Sequence, residues 1–260
     1  MSILETIFAH KREEVAAARA RVPLKALEAA LGDAPPPRDF AAALQDAHRP
    51  APRLIAELKR RSPSKGLLRP DFRPRALAQD YRQGGAAALS VLTDARFFGG
   101  SLDALRTVRD LGLPCLRKDF IFDRYQILEA RTAGADAVLL ILAMLPPRVF
   151  RDLLACTREL GMAALVETHT ADEVQQALDA GARLIGVNNR DLHTFEVRLE
   201  TCLELRPLIP PEVVMVAESG IHTPADVRRL AAAGVDAMLV GEALVTAPDP
   251  AAAARALLGG

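Results

Sequence analysis

Lysine is scarce in this sequence. Of 33 basic residues only five are lysine (Lys11, Lys25, Lys59, Lys65 and Lys118), against 28 arginines. Arginine holds its proton in a protein, whereas a buried lysine can be tuned to exchange one, so two lysines in charged clusters at the ends of apolar runs suggest a need for ammonium chemistry. Cysteine is scarcer still, with Cys115, Cys156 and Cys202 widely spaced and no Cys-x-x-Cys pair. That excludes a disulfide framework and reads as small core hydrophobes in a reducing cytoplasm. Net charge is absent, 33 acidic residues balancing the 33 basic ones, which argues against nucleic acid or an acidic membrane as the main partner. No apolar run approaches the ~20 residues that span a bilayer; the longest, around Ala137 to Leu145, stops at Pro146-Pro147, and Met1-Ser2-Ile3-Leu4-Glu5 opens no signal-peptide core. His10, His48, His169, His193 and His222 show no metal-ligand spacing, so no metal is expected. Gly-x-Gly-x-x-Gly is missing, and with it the dinucleotide fingerprint.

What the chain does have is a set of charged clusters, each ending an apolar run. They are Glu57-Leu58-Lys59, Arg117-Lys118-Asp119, Glu167-Thr168-His169, Asn188-Asn189-Arg190-Asp191 and Glu218-Ser219-Gly220. Desolvating an unpaired charge costs several kcal/mol or so, which puts these groups at strand ends where they are paired or used. A second regularity is a phrase that ends a helix on glycine and enters a strand, at Gly84-Gly85-Ala86, Ala133-Gly134-Ala135, Ala180-Gly181-Ala182 and Ala233-Gly234-Val235. Its spacing of roughly 50 residues is about two βα units. Eight strands follow, near 53–59, 87–93, 114–118, 137–142, 163–168, 184–188, 213–218 and 237–241, separated by amphipathic helices. The expected fold is a single (β/α)8 TIM barrel over residues 1–260. A helical N-terminal extension over 1–48 precedes it, packed on the barrel as a lid over one end. Its pieces are a helix through Ile3, Ile7 and Val15, a second from Leu24 to Leu31, and a short third from Asp39 to Ala47.

Strand alternation turns Glu57 and Lys59 to one side, and likewise pairs Lys118 with Leu116, Glu167 with Leu165, and Glu218 with Val216. From the residues alone these charges could be a catalytic mouth or a buried ion-pair network that fixes register; convergence on four strands favours the mouth. His169 reads as a structural histidine. Glu218-Ser219-Gly220 and Gly241-Glu242 place glycines where the last two strands turn toward helices, a position suited to cradling phosphate.

The segment Ile55 to Gly66, with its Glu57-Leu58-Lys59-Arg60-Arg61-Ser62-Pro63-Ser64-Lys65-Gly66 run, resembles the signature of the indole-3-glycerol phosphate synthase family. The similarity continues through Phe97-Phe98-Gly99-Gly100-Ser101, Arg117-Lys118-Asp119-Phe120, Val166-Glu167-Thr168 and Gly186-Val187-Asn188-Asn189-Arg190-Asp191 to Ala217-Glu218-Ser219-Gly220-Ile221, and so covers essentially the whole chain. One departure is Ala243, where many members carry serine. The resemblance implies a carboxy-lyase of tryptophan biosynthesis acting on a phosphorylated small molecule without a cofactor, in the cytoplasm. Contact with other enzymes of that pathway stays open. It implies Lys118 as general acid and Glu167 as a second acid–base group, with Glu57 and Lys59 as supporting or alternative partners, Asn188 as an orienting group and Glu218 as a counter-ion. It further implies phosphate against Ser219, Gly220, Gly241 and Glu242, with Lys59, Arg190 and Ser62 nearby, and an aromatic pocket of Pro63, Phe98, Phe120, Leu139 and Leu192. A Schiff-base aldolase on the same kind of barrel would instead use Lys118 as a nucleophile.

Overall fold

Eight parallel strands close into a barrel in the computed structural model, which describes residues 3–45, 52–192 and 194–259. They are β1 (Arg53–Leu58), β2 (Ala88–Leu92), β3 (Cys115–Lys118), β4 (Ala137–Ile141), β5 (Ala163–Thr168), β6 (Leu184–Asn188), β7 (Val214–Glu218) and β8 (Ala237–Val240). Their order around the barrel follows the chain, and β8 returns to pair with β1. Helices such as Pro74–Gln83, Arg124–Ala133, Pro147–Glu159 and Pro224–Ala232 form the crossovers. The architecture is the expected (β/α)8 barrel.

The strands are short apolar runs because both faces are covered. Ile55, Leu116, Leu139, Leu165, Val216 and Leu239 fill the barrel interior. Their neighbours Leu54, Val138, Leu140, Val166, Ile185 and Met215 pack outward against the helices. Helix starts carry their own signals: Asp123 and Gln126 form a capping box, as do Thr223 and Asp226. The glycines of the repeated phrase, Gly85, Gly134, Gly181 and Gly234, all adopt left-handed backbone at φ 76–93°, the conformation that ends a helix and that glycine takes without a Cβ penalty.

The extension covers one end of the barrel and reaches beyond it. Its helices are α1 (Ile3–Arg21), α2 (Leu24–Ala30) and α3 (Phe40–Leu44). Leu27 of α2 and Val15 of α1 pack on Tyr125 and Leu128 at the side of the barrel. Phe40 and Leu44 of α3 close the floor, joining the interior beside Ala88, Ala137 and Ala237 at the strands' amino ends. Next to them the Arg38 N–H donates to Asp136 Oδ1 at 2.7 Å. The opposite end of the extension reaches the mouth, where Ile7 borders the main cavity and Lys11 pairs with Asp94 and Asp119. The extension is therefore a strap running from the mouth to the floor, where α3 covers the amino ends of the strands. Helical spacing reveals the three pieces, but only the buried partners of Lys11 and Phe40 decide which ends they reach. From residue 46 on, the expected third helix lies outside the described residues, as do His48 and His193. Among the described residues no helix is long and apolar enough to cross a membrane.

Candidate active site

A cavity of about 440 Å³ opens at the carboxyl ends of the strands. Every site residue expected from the sequence lines it. The acid–base candidates Glu57, Lys59, Lys118, Glu167, Asn188 and Glu218 rise from β1, β3, β5, β6 and β7 or the residues just after them. Arg190, Ser219, Gly220, Gly241 and Glu242 border one side, with Ser62 from the loop after β1. Pro63, Phe98, Phe120, Leu139 and Leu192 supply apolar wall, with Ile7, Ile141 and Met144 beside them. The Phe98 and Phe120 rings lie 6.0 Å apart.

Lys118 is central. Its Nζ donates to Glu218 Oε2 and stands 3.5 Å from Glu167 Oε2. Glu167 also accepts from Asn188 Nδ2 at 3.1 Å, and His169 Nε2 approaches its Oε1 at 3.5 Å. Asn188 is held in turn by the Arg190 N–H, which donates to its Oδ1 at 3.0 Å. Lys59 pairs with Glu57 at 2.7 Å. Burial works against the charged form of Lys118, yet Glu218, Glu167 and Glu57 outweigh it and hold the ammonium above its ordinary pKa. Burial likewise opposes ionisation of Glu167, but Lys118, His169 and Asn188 hold its carboxyl below the usual range. Glu218 goes the other way: burial raises it, and Glu167 and Glu57 add to that against the pull of Lys118. Two carboxylates sharing one ammonium are thus driven apart in acidity, which suits them to different tasks.

Glycines make the room. A Cβ at Gly186 on β6 would fall on the Glu218 carboxylate, and one at Gly241 would fall on the Glu57 carboxylate near Lys59 Nζ. In sequence Gly241 reads only as part of a cradle; its missing side chain also admits a charged neighbour. On the cradle side, Ser219 takes φ 67° and Gly220 φ 75° in succession. Serine pays a steric penalty there that glycine does not. Buried Asn189 holds the turn, donating from Nδ2 to the Ser219 carbonyl at 3.0 Å while accepting the Cys202 N–H at 3.0 Å.

Comparison with known proteins decides the family. The model of the family described as indole-3-glycerol phosphate synthase matches residues 4–257. The chain belongs to the indole-3-glycerol phosphate synthase family. An indole-3-glycerol phosphate synthase of Roseiflexus sp. (strain RS-1) is 54% identical over 268 aligned positions that cover 100% of this chain and 99% of the relative. Another, from Dehalococcoides mccartyi (strain ATCC BAA-2100 / JCM 16839 / KCTC 5957 / BAV1), is 51% identical and covers 98% of this chain and 100% of its own length. Among solved structures, 3-hexulose-6-phosphate synthase from Salmonella typhimurium superposes with TM-score 0.65 at 16% identity, covering 80% of this chain and 97% of that one. At that identity the likeness shows the barrel alone.

Within this indole-3-glycerol phosphate synthase family member, several residues at the mouth escape sequence reasoning. Lys11 is wholly buried against Asp94, Asp119 and Glu14, at 2.8, 2.9 and 3.0 Å. Lys65 reaches Glu242 at 2.5 Å. Four of the five lysines therefore gather around the mouth, where strand-end position pointed to two. The signal available for Lys11 was the lysine scarcity itself; for Gly186 it was a glycine inside a strand, which marks close approach of another group.

Proposed function

We propose that this cavity closes the indole ring of 1-(2-carboxyphenylamino)-1-deoxyribulose 5-phosphate, releasing carbon dioxide and water and giving indole-3-glycerol phosphate in tryptophan biosynthesis. The observation that carries the assignment of roles is the Lys118 ammonium held between Glu167 and Glu218, inside a cavity apolar on one side and glycine-lined on the other.

In this reading Lys118 gives its proton to the sugar ketone as the aromatic carbon bearing the carboxylate attacks it. Ring closure leaves an electron-accepting iminium beside that carboxylate, so carbon dioxide departs with its bonding electrons returning to the ring. The hydroxyl formed from the ketone then leaves as water while a ring proton is removed. Glu167, held ionised by Lys118, Asn188 and His169, is suited to take that proton, and Glu57 with Lys59 forms a second acid–base pair within the same cavity. General acid–base groups of this kind contribute about 10²–10⁴-fold each. Glu218 keeps the Lys118 ammonium in place, and Asn188 fixes the Glu167 carboxylate. The phosphate would rest on the turns at Ser219-Gly220 and Gly241-Glu242 with Lys59 and Arg190 as cations and Ser62 nearby. The anthranilate ring would enter between Phe98, Phe120, Pro63, Leu139 and Leu192. The same reading makes residues 1–48 an extension of one barrel domain over 1–260 and places the enzyme in the cytoplasm.

Incubation with the carboxyphenylamino-deoxyribulose phosphate should raise indole fluorescence. Folded protein that gives no rise overturns the assignment. Borohydride trapping with a ketose phosphate separates the Schiff-base alternative, because a general acid forms no reducible imine.

A further inference from the structure

Glu242 sits awkwardly for a phosphate site. The residue follows the glycine turn of β8 and lines the same cavity, and its carboxylate is held ionised by Lys65, against a smaller effect of burial, with Lys59 and His222 adding to it. An ionised carboxylate beside a dianion is repulsive unless a cation stands with it. Lys65 is that cation, reaching across 177 positions of chain from the loop after β1. The loop is built to present it. The Lys65 N–H donates to Ser62 Oγ at 3.2 Å, and Gly66 at φ 69° turns the chain back so that Arg61–Ser62 and Gly66–Leu67 pair as a small hairpin. A few residues on, Arg69 Nη1 donates to the Val245 carbonyl at 2.9 Å, fastening the loop to the same turn that carries Glu242. The Arg69 contact is to backbone and carries no counter-charge, whereas the Lys65 contact joins two side-chain charges.

We propose that Lys65 is the counter-ion that makes the Glu242 side of the cavity compatible with phosphate. With the cavity empty it pairs with the Glu242 carboxylate; with a phosphate monoester bound it bridges carboxylate and phosphate and keeps the loop after β1 down on the ester. Ammonium suits this better than guanidinium, since its three donors turn freely between two acceptors. The Lys65 side chain is 58% exposed, so the pair contributes little to folding and rearranges easily.

This inference rests on the phosphate placement proposed above and is tested by a double-mutant cycle at constant ionic strength. Lys65→Met, Glu242→Gln and the double variant are titrated with inorganic phosphate by thermal shift, and KM and kcat are measured with the carboxyphenylamino-deoxyribulose phosphate. Lys65→Met should weaken phosphate binding and raise KM by about tenfold, with kcat changed less. In the Glu242→Gln background the same lysine change should cost only about two- to threefold, because the carboxylate it neutralised is gone. Equal losses in both backgrounds would show Lys65 to be an independent cation and overturn the inference. No loss in either would show a solvent-exposed pair without function, with the same result. A parent protein that phosphate does not protect overturns the placement and this inference together.

Discussion

Two lysines stand among carboxylates at the barrel mouth, and their surroundings differ in one respect. Lys11 is sealed: Asp94, Asp119 and Glu14 surround it, and it has no exposed surface. Its carboxylates have further partners, although Asp94 Oδ2 meets only the Lys11 ammonium, as an ion pair at 2.8 Å. Asp119 accepts from Thr93 Oγ1 at 2.5 Å, Arg117 Nη2 at 3.1 Å and the Phe120 N–H at 2.8 Å, while Asp94 caps the helix Ala95–Phe98. Lys118 has the same ingredients but faces the cavity, and Glu218 Oε1 beside it is buried without a hydrogen-bond partner among the described residues. A charge cluster whose cation has no exposed surface fixes structure; one whose cation faces a cavity can move protons. Lys118 and Asp119 are adjacent in sequence yet serve the two different clusters, because strand alternation turns one inward and leaves the other to meet α1.

Exchange of the central cations should separate the clusters most sharply. In Lys118→Arg the charge remains, but guanidinium is a poor proton donor and its planar fork does not fit between Glu167 and Glu218. Turnover should fall by about 10²–10⁴-fold with thermal stability close to the parent. Single-turnover kinetics with a melt on the same sample checks this, and near-parental turnover would make Lys118 an electrostatic anchor only. Lys11→Met should do the reverse. Removing one partner strands Asp94 and Asp119 without their ammonium, and loss of one member of a buried pair costs about 3–5 kcal/mol. Denaturant unfolding should show that loss, while the folded fraction keeps turnover far closer to the parent than Lys118→Arg does. Parental stability in Lys11→Met would mean the strap is held by its apolar contacts alone.

The barrel was legible because its signals are local and repeated. Gly134 ending a helix, Thr223 with Asp226 starting one, and Glu167 or Glu218 ending an apolar run each declare a boundary within a few residues. The residues now found in the cavity were legible for the same reason: alternation at strand ends sends Glu57, Lys118, Glu167 and Glu218 to one side. Lys11 was not, since nothing in the run Lys11-Arg12-Glu13-Glu14 tells a solvated helix face from a buried cation whose two buried partners, Asp94 and Asp119, lie more than 80 positions away. Lys65 was opaque likewise, its partner being near the other end of the chain. Pairings across the barrel depend on closure, and closure is a property of all eight strands together.

Within the open cluster, Glu167→Gln tests whether openness means chemistry. The amide keeps the size and can still hydrogen-bond Lys118 and Asn188, but it cannot take a proton. Lys118 retains Glu218, so the ammonium is not stranded. Stability should stay near the parent and turnover should fall at least ~10²-fold with substrate still bound. A large loss of stability with turnover per folded molecule preserved would instead class Glu167 with the carboxylates around Lys11.

The smallest effect uses pH. His169 lies between Glu167 and Glu173, its Nδ1 3.2 Å from Glu173 Oε2. Burial opposes its charge, but those two carboxylates outweigh burial and raise its pKa from 6.5 to about 9. A histidine whose pKa is higher folded than unfolded binds its proton more tightly in the fold. Its contribution is therefore complete below about pH 6.5 and is lost as pH rises through about 9. The sealed cluster has no such slope, because Asp119 is held at about 2 and Lys11 above the ordinary lysine range. Unfolding free energy measured from neutral to alkaline pH should decline in the parent by about 1–3 kcal/mol more than in His169→Gln. Parallel curves would show that His169 is neutral in the fold, and that Lys118 and Asn188 alone keep Glu167 ionised.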